Sequence, residues 1–375
     1  MKALKYGLMS LVLFAFATGE AGVVINSGRG LPHTKSAFTT RPKQLWTMGQ
    51  VRFWGQKASF EYRSIGIESG STFWVVQGVA GFNYGVNEHV SAELAPIIYQ
   101  DVNDGGSDEL FGDTMVDLKV GNYRIEKTNL TIGMNLGMRL PTGSHRNIIF
   151  EDYSSGRFEW GLTGLMTYRM LLPDVNSEYR IHLNLGYWNH NDKGVMLVDD
   201  PDFSDLAKVK RNSQAFNYAF GLEFPTRYFD YGLEFYGLSW INYPPLTAAA
   251  RENNLFMNIS LGYKPAVRFK FFTALDLRLS KDYEETVGPR MTLTDLPNYP
   301  GWRVYLGLRY MILPTSLYEM HKQTIMDAKR DRRRLLLKQL EEQEKKERLA
   351  RQEAERQHLE KKGEKTGSEV VLEPK

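Results

Sequence analysis

Residues 112–143, GDTMVDLKVGNYRIEKTNLTIGMNLGMRLPTG, contain the pattern that decides the fold. In the second half of this stretch, every other residue from Leu130 to Leu140 is apolar, and the residues between them are small or polar. Because the side chains of a strand alternate between its two faces, one face of this segment is apolar and the other is polar. A strand of about eleven residues with this alternation is typical of a transmembrane β-barrel, whose apolar face contacts lipid and whose polar face lines the lumen.

The same alternation recurs along the chain. It predicts twelve strands, at residues 45–62, 72–86, 90–101, 112–125, 129–141, 158–170, 179–190, 213–224, 229–241, 254–264, 267–280 and 302–312. The connections between them are alternately long and short, as in a barrel that has tight turns at one end and long loops at the other. We therefore predict an all-β fold, an antiparallel transmembrane β-barrel of about 12 strands over residues 44–312. Its N- and C-termini would both lie in the periplasm.

Strand one is the least regular of the twelve. Its apolar residues change from one face to the other near Gly55, which predicts a β-bulge at that position.

The N-terminal residues precede the first predicted strand. Residues 1–21 resemble a secretory signal peptide, because Lys2 and Lys5 come before an apolar run that is shorter than the roughly 20 residues of a membrane-spanning helix. Residues 22–43 have no sustained periodicity. We interpret them as an N-terminal periplasmic segment or as a small plug inside the barrel, and the first alternative is favoured. The chain has no cysteine, which excludes disulfides and cysteine-ligated metal.

The composition changes after Pro314. Ser316 and Glu319 form a capping box, and no proline or glycine occurs again before Gly363. This pattern predicts a long charged α-helix in the periplasm over residues 313–362, and a disordered tail at 363–375. A solvated single helix is favoured over a coiled coil, since the apolar seam is only partial.

The C-terminal tail also holds the net charge. It contains 16 basic and 13 acidic residues from Ser316 onward, so the formal charge of +3 resides there. A solvated charged face is the default interpretation, and a periplasmic protein or anionic lipid is the alternative partner. We expect no nucleic acid partner, because an exported chain meets none and no aromatic platform accompanies the basic residues.

Charged residues of both signs occupy the lumen-facing positions of the predicted strands. Because a twelve-stranded barrel is narrow, these side chains either line a small polar pore and set its selectivity or pair with one another and plug it. Sequence alone leaves both alternatives open. The residues are Glu93, Asp117, Lys119, Arg139, Glu159, Arg169, Arg180, Glu223, Glu234, Arg268, Lys270, Asp276, Arg278, Arg303 and Arg309.

The last predicted strand carries a second pattern. Its polar, glycine, aromatic and apolar positions resemble the assembly signal in the terminal strand of bacterial outer-membrane barrels. These positions are Tyr305, Gly307, Tyr310 and Ile312. The pattern predicts the barrel-assembly machinery as a partner.

Residues 112–143 also carry a family resemblance. Their hairpin looks like that of the outer-membrane barrels grouped under the meta-pathway of phenol degradation, through Gly112-Asp113, Asp117-Leu118-Lys119 and Arg139-Leu140-Pro141-Thr142-Gly143. The next segments of those barrels are similar to Ser154-Ser155-Gly156, Glu159-Trp160-Gly161-Leu162 and Leu183-Asn184-Leu185-Gly186-Tyr187. The resemblance covers about residues 72–312. It implies an outer-membrane barrel that lets small, often hydrophobic, compounds across. The charged tail departs from the usual pattern, in which the chain ends at the last strand.

An enzyme inside the barrel is the main rival class of function. His182 and His190 lie on one predicted strand and face the lumen, but no serine accompanies them in a local motif. We therefore expect no catalytic residue, no cofactor and no bound metal. The predicted function is passive passage or uptake of small solutes, including hydrophobic ones, across the bacterial outer membrane, with membrane lipid and the solute as partners. The alternative is a non-conducting barrel whose helix tethers the outer membrane to a periplasmic partner.

Overall fold

A closed antiparallel β-barrel accounts for most of the chain in a computed structural model. The structure describes residues 26, 28–62, 67–102, 107–109, 111–126, 128–148, 150–171, 178–197, 204–281, 299–314, 336 and 339–355. The predicted signal peptide, residues 1–21, and the predicted disordered tail, residues 363–375, lie outside the described residues.

Twelve long strands form the barrel wall, as the alternation predicts. They are β1 (Leu45–Tyr62), β2 (Ile67–Gly85), β3 (Val90–Val102), β5 (Thr114–Arg124), β6 (Leu130–Leu140), β7 (Glu159–Leu171), β8 (Glu178–Asn189), β9 (Gln214–Pro225), β10 (Phe229–Asn242), β11 (Asn254–Ala266), β12 (Phe269–Arg278) and β13 (Trp302–Leu313). A short strand, β4 (Ser107–Glu109), pairs with the end of β3. The prediction of an all-β barrel of about twelve strands is confirmed.

The barrel is closed by the pairing of its first and last strands. β1 pairs with β13, for example Val51 with Leu306, and β1 also pairs with β2. β2 pairs with β3, which continues through β5 around the rest of the sheet. With an even number of wall strands, β1 and β13 meet antiparallel. The start of β1 and the end of β13 therefore lie at the same end of the barrel, which is also the end of the short turns.

The two faces of the wall differ in chemistry, as β6 shows. Ile132 and Met134 are 40% and 47% exposed, whereas Thr131 and Asn135 on the opposite face are buried. An outward apolar face and a buried polar face are what a lipid-embedded barrel requires. The residues buried inside the barrel include many polar and charged side chains beside the apolar ones.

Two details of the wall differ from the sequence-based expectation. The β1–β2 ladder is continuous through the Gly55–Trp74 pair, so the bulge predicted near Gly55 is wrong. The long partner strand β2 keeps a single register with β1 and leaves no residue to be looped out. Arg268 lies in the turn between β11 and β12 and is exposed, because β12 begins one residue later.

A second compact unit comprises residues 315–375, and the first comprises residues 1–314. Within the second unit, the described residues 339–355 form an exposed charged helix. In the part of the chain that is described, no helix is both long and apolar enough to cross a membrane.

Candidate functional site in the occupied barrel interior

Residues 26 and 28–44, here called the luminal segment, enter the barrel at the end that carries the short turns. The backbone N–H of Lys43 donates to the carbonyl of Gly85 at 2.7 Å, and the hydroxyl of Thr39 donates to the carbonyl of Glu88 at 2.8 Å. The segment turns back on itself farther inside. The arm of the segment on the other side of this turn contains Gly28, whose carbonyl accepts a hydrogen bond from Arg309 of β13 at 2.9 Å.

A tight turn forms the tip of the luminal segment. The N–H of Leu31 donates to the carbonyl of Thr34 at 3.0 Å, and Pro32 occupies the second position, where its fixed φ favours a turn. Gly30 stands at the start of the turn with a φ of 126°, which disfavours any residue with a Cβ. The local sequence Gly-Leu-Pro-His therefore specifies a hairpin.

The tip is bound by two carboxylates of the wall. Glu234 Oε2 accepts the backbone N–H groups of His33 and Thr34, at 3.0 and 2.6 Å. The His33 ring stacks on Tyr236 with its centroid 3.8 Å away, and its Nε2 lies 3.1 Å from Asp276 Oδ1. These contacts join the segment to β10 and β12.

Lys35 anchors the next part of the luminal segment. Its backbone exchanges two hydrogen bonds with the amide of Asn184, at 2.7 and 2.8 Å. Its Nζ lies 2.6 Å from Asp117 Oδ2 and 3.8 Å from Glu93 Oε2. Burial alone would lower the pKa of Lys35, but the carboxylates of Asp117 and Glu93 outweigh it and raise that pKa. The lysine is therefore a charged anchor at neutral pH.

The stem of the luminal segment approaches the wall closely. The N–H of Ala37 donates to Thr167 Oγ1 at 2.9 Å, and the carbonyl of Ala37 accepts from the N–H of Asn122 at 2.9 Å. Gly121 lies against the same carbonyl, and a Cβ at Gly121 would overlap its oxygen. The wall is thus shaped to accept this segment.

The luminal segment corrects one expectation. Sequence alone favours a periplasmic segment over a small plug for residues 22–43, but the described residues from Asn26 to Thr40 lie inside the barrel, as in the second alternative, and Arg41 and Lys43 are exposed. Several of their backbone polar groups form hydrogen bonds with wall side chains. These partners are distant in sequence, so no local periodicity could predict them.

Most of the fifteen charged residues predicted to face the lumen do point into the barrel, and the structure brings many of them together. Some bind the luminal segment, namely Glu93, Asp117, Glu234, Asp276 and Arg309. Others pair within the wall or with inward-folded loops, namely Arg139 with Asp113, Glu159 with His190, Arg169 and Arg180 with Glu178, Glu223 with Arg180, and Lys270 with Asp230.

The remaining predicted lumen residues have other surroundings. Arg278 donates to the carbonyl of Tyr299 at 2.8 Å, and the guanidinium of Arg303 lies 5.1 Å from the ring centroid of Phe256. Lys119 is buried, and its Nζ has no hydrogen-bond partner among the described residues. Arg268, in its exposed turn, does not line the lumen.

The predicted assembly signal divides between the two faces of β13. Tyr305 is buried and donates to Asp276, and Gly307 packs against Phe272 inside the barrel. Ile312 is exposed on the outer face, on the same side as Tyr310. Its role in assembly stays a prediction.

Residues 144–148 and 150–157, here called the inner loop, fold into the opposite end of the barrel. Phe150 packs on Trp54 with ring centroids 4.5 Å apart, and the neighbouring Glu151 pairs with Arg52. Phe150 holds this position with a φ of 65°, an uncommon backbone conformation for a bulky residue. The wall therefore fixes the loop inside the barrel.

Tyr153 fixes the last part of the inner loop. Its hydroxyl donates to Asp192 Oδ2 at 2.8 Å, and its carbonyl accepts from Arg139 at 3.0 Å. Burial, together with the charge of Asp192, raises the pKa of Tyr153 well above its ordinary value. The phenol is therefore a hydrogen-bond donor at any physiological pH.

Between the luminal segment and the inner loop lies a cavity of about 80 Å³. His33 and Lys35 of the luminal segment line it on one side, and Asp152 and Tyr153 of the inner loop on the other. Strand residues complete the wall, some apolar or aromatic and others polar, among them Trp188, Leu238, Trp240, Asn135, Glu159 and Asn217. A second cavity of about 20 Å³ lies beside the inner loop.

Sequence reasoning did not identify the individual residues that occupy the lumen, although a plug inside the barrel is its second interpretation of residues 22–43. His33, Lys35, Phe150 and Tyr153 lie in segments without periodicity, whereas alternation identifies only strands. The turn signal Gly30-Leu31-Pro32 was the one local sign that the N-terminal segment is ordered.

Comparisons with known proteins give barrels of similar fold. No protein-family model matches the chain, and no curated protein is significantly similar to it. An outer-membrane channel of Pseudomonas putida F1 is 10% identical, with 74% of this chain and 98% of that chain covered and a TM-score of 0.44. For the NanC porin the identity is 10%, the coverages are 70% and 98%, and the TM-score is 0.43.

The toluene transporter TodX of P. putida is 8% identical, with coverages of 78% and 98% and a TM-score of 0.35. These solved structures are outer-membrane channel barrels. At such scores the likeness carries no argument about function, and the resemblance to the phenol meta-pathway barrels stays a prediction. The proposal for the function of this chain therefore rests on the interior of its own barrel.

Proposed function

We propose that this chain is a bacterial outer-membrane channel for the passive passage of small solutes, and that the described state is a closed one. The observation that carries the proposal is the cavity inside a lipid-compatible barrel, bounded on one side by the luminal segment and on the other by the inner loop. A barrel built only as a scaffold has no need of an internal cavity with polar and aromatic walls.

The way in which the lumen is filled supports a closed channel. The luminal segment is not covalently continuous with the wall except at Gln44, and polar side-chain contacts hold much of it in place. Hydrogen bonds to wall side chains are individually worth about 0.5 to 3 kcal/mol, so such a segment can be displaced without unfolding the barrel. In this proposal both termini are periplasmic, and the inner loop faces the cell exterior.

Planar-bilayer conductance tests the proposal. Removing residues 22–40 retains β1 and the contact of Gln44 with Gly85, and it should raise the single-channel conductance several-fold over that of the full chain. A heat-modifiable shift on gels verifies that the shortened barrel is folded. A point variant, Glu234→Ala, is the milder version and should raise the frequency of opening. Folded proteins that pass neither ions nor small solutes in all three forms would contradict a channel function.

The tether alternative gains no support from the described residues of the tail, which form an exposed helix. The tether would become the favoured function only if the form without residues 22–40 and the Glu234→Ala variant both failed to conduct.

A further inference from the structure

We propose that the cavity between the luminal segment and the inner loop is a binding site for a small solute that carries a primary ammonium group on an apolar or aromatic body. This inference rests on the proposed channel function and names the class of solute for it.

Glu159 is the first observation. Its side chain is fully buried and lines the cavity. One carboxylate oxygen, Oε2, accepts from Trp188 Nε1 at 2.9 Å and lies 3.0 Å from His190 Nδ1. The other oxygen, Oε1, has no hydrogen-bond partner among the described residues. Leaving a buried carboxylate oxygen without a donor is costly, so the site is built for a donor that the protein does not supply.

Asn135 provides a second acceptor on the same cavity. Its Nδ2 donates to Asp117 Oδ1 at 2.6 Å, which fixes the orientation of the amide. Oδ1 is therefore the atom left over, and it has no partner in the described part of the chain. Asn217 Oδ1 is a third acceptor of this kind on the cavity, whereas Trp240 Nε1 is a donor without a partner among the described residues. The larger number of acceptors favours a ligand that is rich in N–H or O–H groups.

The charges of the neighbouring residues select a cation over an anion. The two cationic side chains that line the cavity are already engaged, Lys35 by Asp117 at 2.6 Å and Arg139 by Asp113 at 2.6 Å. An anionic ligand would have to displace one of these carboxylates. Among the basic side chains of the described residues, only His190 lies within ion-pair distance of Glu159.

Aromatic rings supply the rest of the site. The Trp240 ring centroid lies 5.2 Å from that of His190 and 5.8 Å from that of Tyr153. Indole and phenol faces attract cations within about 6 Å of the ring centroid. Leu238 and Ala215 add apolar surface. This combination accommodates an ammonium group beside an apolar body.

The size of the cavity limits the ligand. The cavity volume is about 80 Å³, and one water molecule needs about 10 to 15 Å³ on the same measure. Because a water molecule is one non-hydrogen atom, the cavity accommodates roughly five to eight such atoms. Benzylammonium, benzyl alcohol and benzoate are at or just above the upper limit and differ mainly in charge, which makes them matched probes.

Calorimetry and tryptophan fluorescence on the full-length folded protein test the site at neutral pH. Benzylammonium should bind at least tenfold more tightly than benzyl alcohol, as expected for a hydrogen bond to a buried charge, and benzoate should not bind measurably. Glu159→Gln should abolish the preference for benzylammonium, and Glu159→Asp should retain part of it. Glu178→Gln, a matched change in an ion pair away from the cavity, should leave it unchanged.

Equal binding of the three probes, binding of none of them, or a preference that survives in folded Glu159→Gln would overturn the inference. The two proposals fail separately. If the protein conducts but does not bind benzylammonium selectively, only the proposed binding site is rejected. If it binds benzylammonium selectively but no opened form conducts, the proposed channel function is rejected.

Discussion

Asp276 is the residue on which the interior network converges. Its carboxylate is fully buried, accepts from the hydroxyls of Tyr236 and Tyr305 at 2.5 Å each and from Asn258 at 2.7 Å, and also binds His33. The acceptor serves three wall strands and the luminal segment at once. Removing a charged acceptor from such a network costs more free energy than breaking one isolated hydrogen bond, because every donor in the network loses its partner.

We expect Asp276→Ala to lower the free energy of unfolding by about 3 to 5 kcal/mol, as is typical when one partner of a buried charged network is removed. Urea unfolding of the refolded barrel, monitored by tryptophan fluorescence, measures this change. Thr273→Ala on the same strand is the control, since Thr273 is exposed on the outer face and should change stability by no more than about 0.5 kcal/mol. Equal effects of the two variants would show that the network contributes little.

The luminal segment and β5 illustrate how one element is shaped for another. Gly121 of β5 lies directly against the carbonyl of Ala37, whereas a Cβ at Gly164 of β7 would meet its nearest atom at an ordinary 3.6 Å. Gly121→Ala should therefore push the luminal segment away from the wall and increase channel opening severalfold in planar bilayers. Gly164→Ala should leave opening unchanged. If the two variants conduct alike, the close approach of Ala37 does not hold the channel closed.

Elements differ in how far sequence determines them. Most strand ends are predictable to within two residues, as for β1 at 45–62, because lipid imposes one strict alternation on every strand. The exception is β2, which begins at Ile67 and not at residue 72. The luminal segment and the inner loop obey no such period. Their polar groups are satisfied by side chains far away in the chain, such as Glu234 for His33, and only the folded barrel brings these partners together.

At the scale of the whole molecule, the wall and the interior are stabilised in different ways. The wall has a backbone ladder between every pair of neighbouring strands, and inward-facing networks such as that of Asp276 add to the stability of these ladders. The interior is held by polar contacts such as those of Lys35 with Asp117 and of Arg139 with Asp113. The alternatives left open by sequence, a polar pore or a paired and filled lumen, are therefore compatible. Paired charges fill the described state, and a cavity remains between the two segments that fill it.

The division of the chain into two compact units makes a prediction about the tail. All twelve wall strands lie within the first unit, so a chain that ends at Pro314 should refold into the same barrel. We expect its unfolding midpoint to stay within about 2 °C of that of the full chain, a change of no more than about 0.5 kcal/mol, because every ladder of the barrel remains in the shortened chain. Its conductance, both alone and combined with the removal of residues 22–40, should match that of the corresponding full-length form. Heat-modifiable gel mobility and planar-bilayer recording check both expectations. A shortened chain that fails to fold, or a conductance that changes when only the tail is absent, would show instead that the helix takes part in closing or building the barrel.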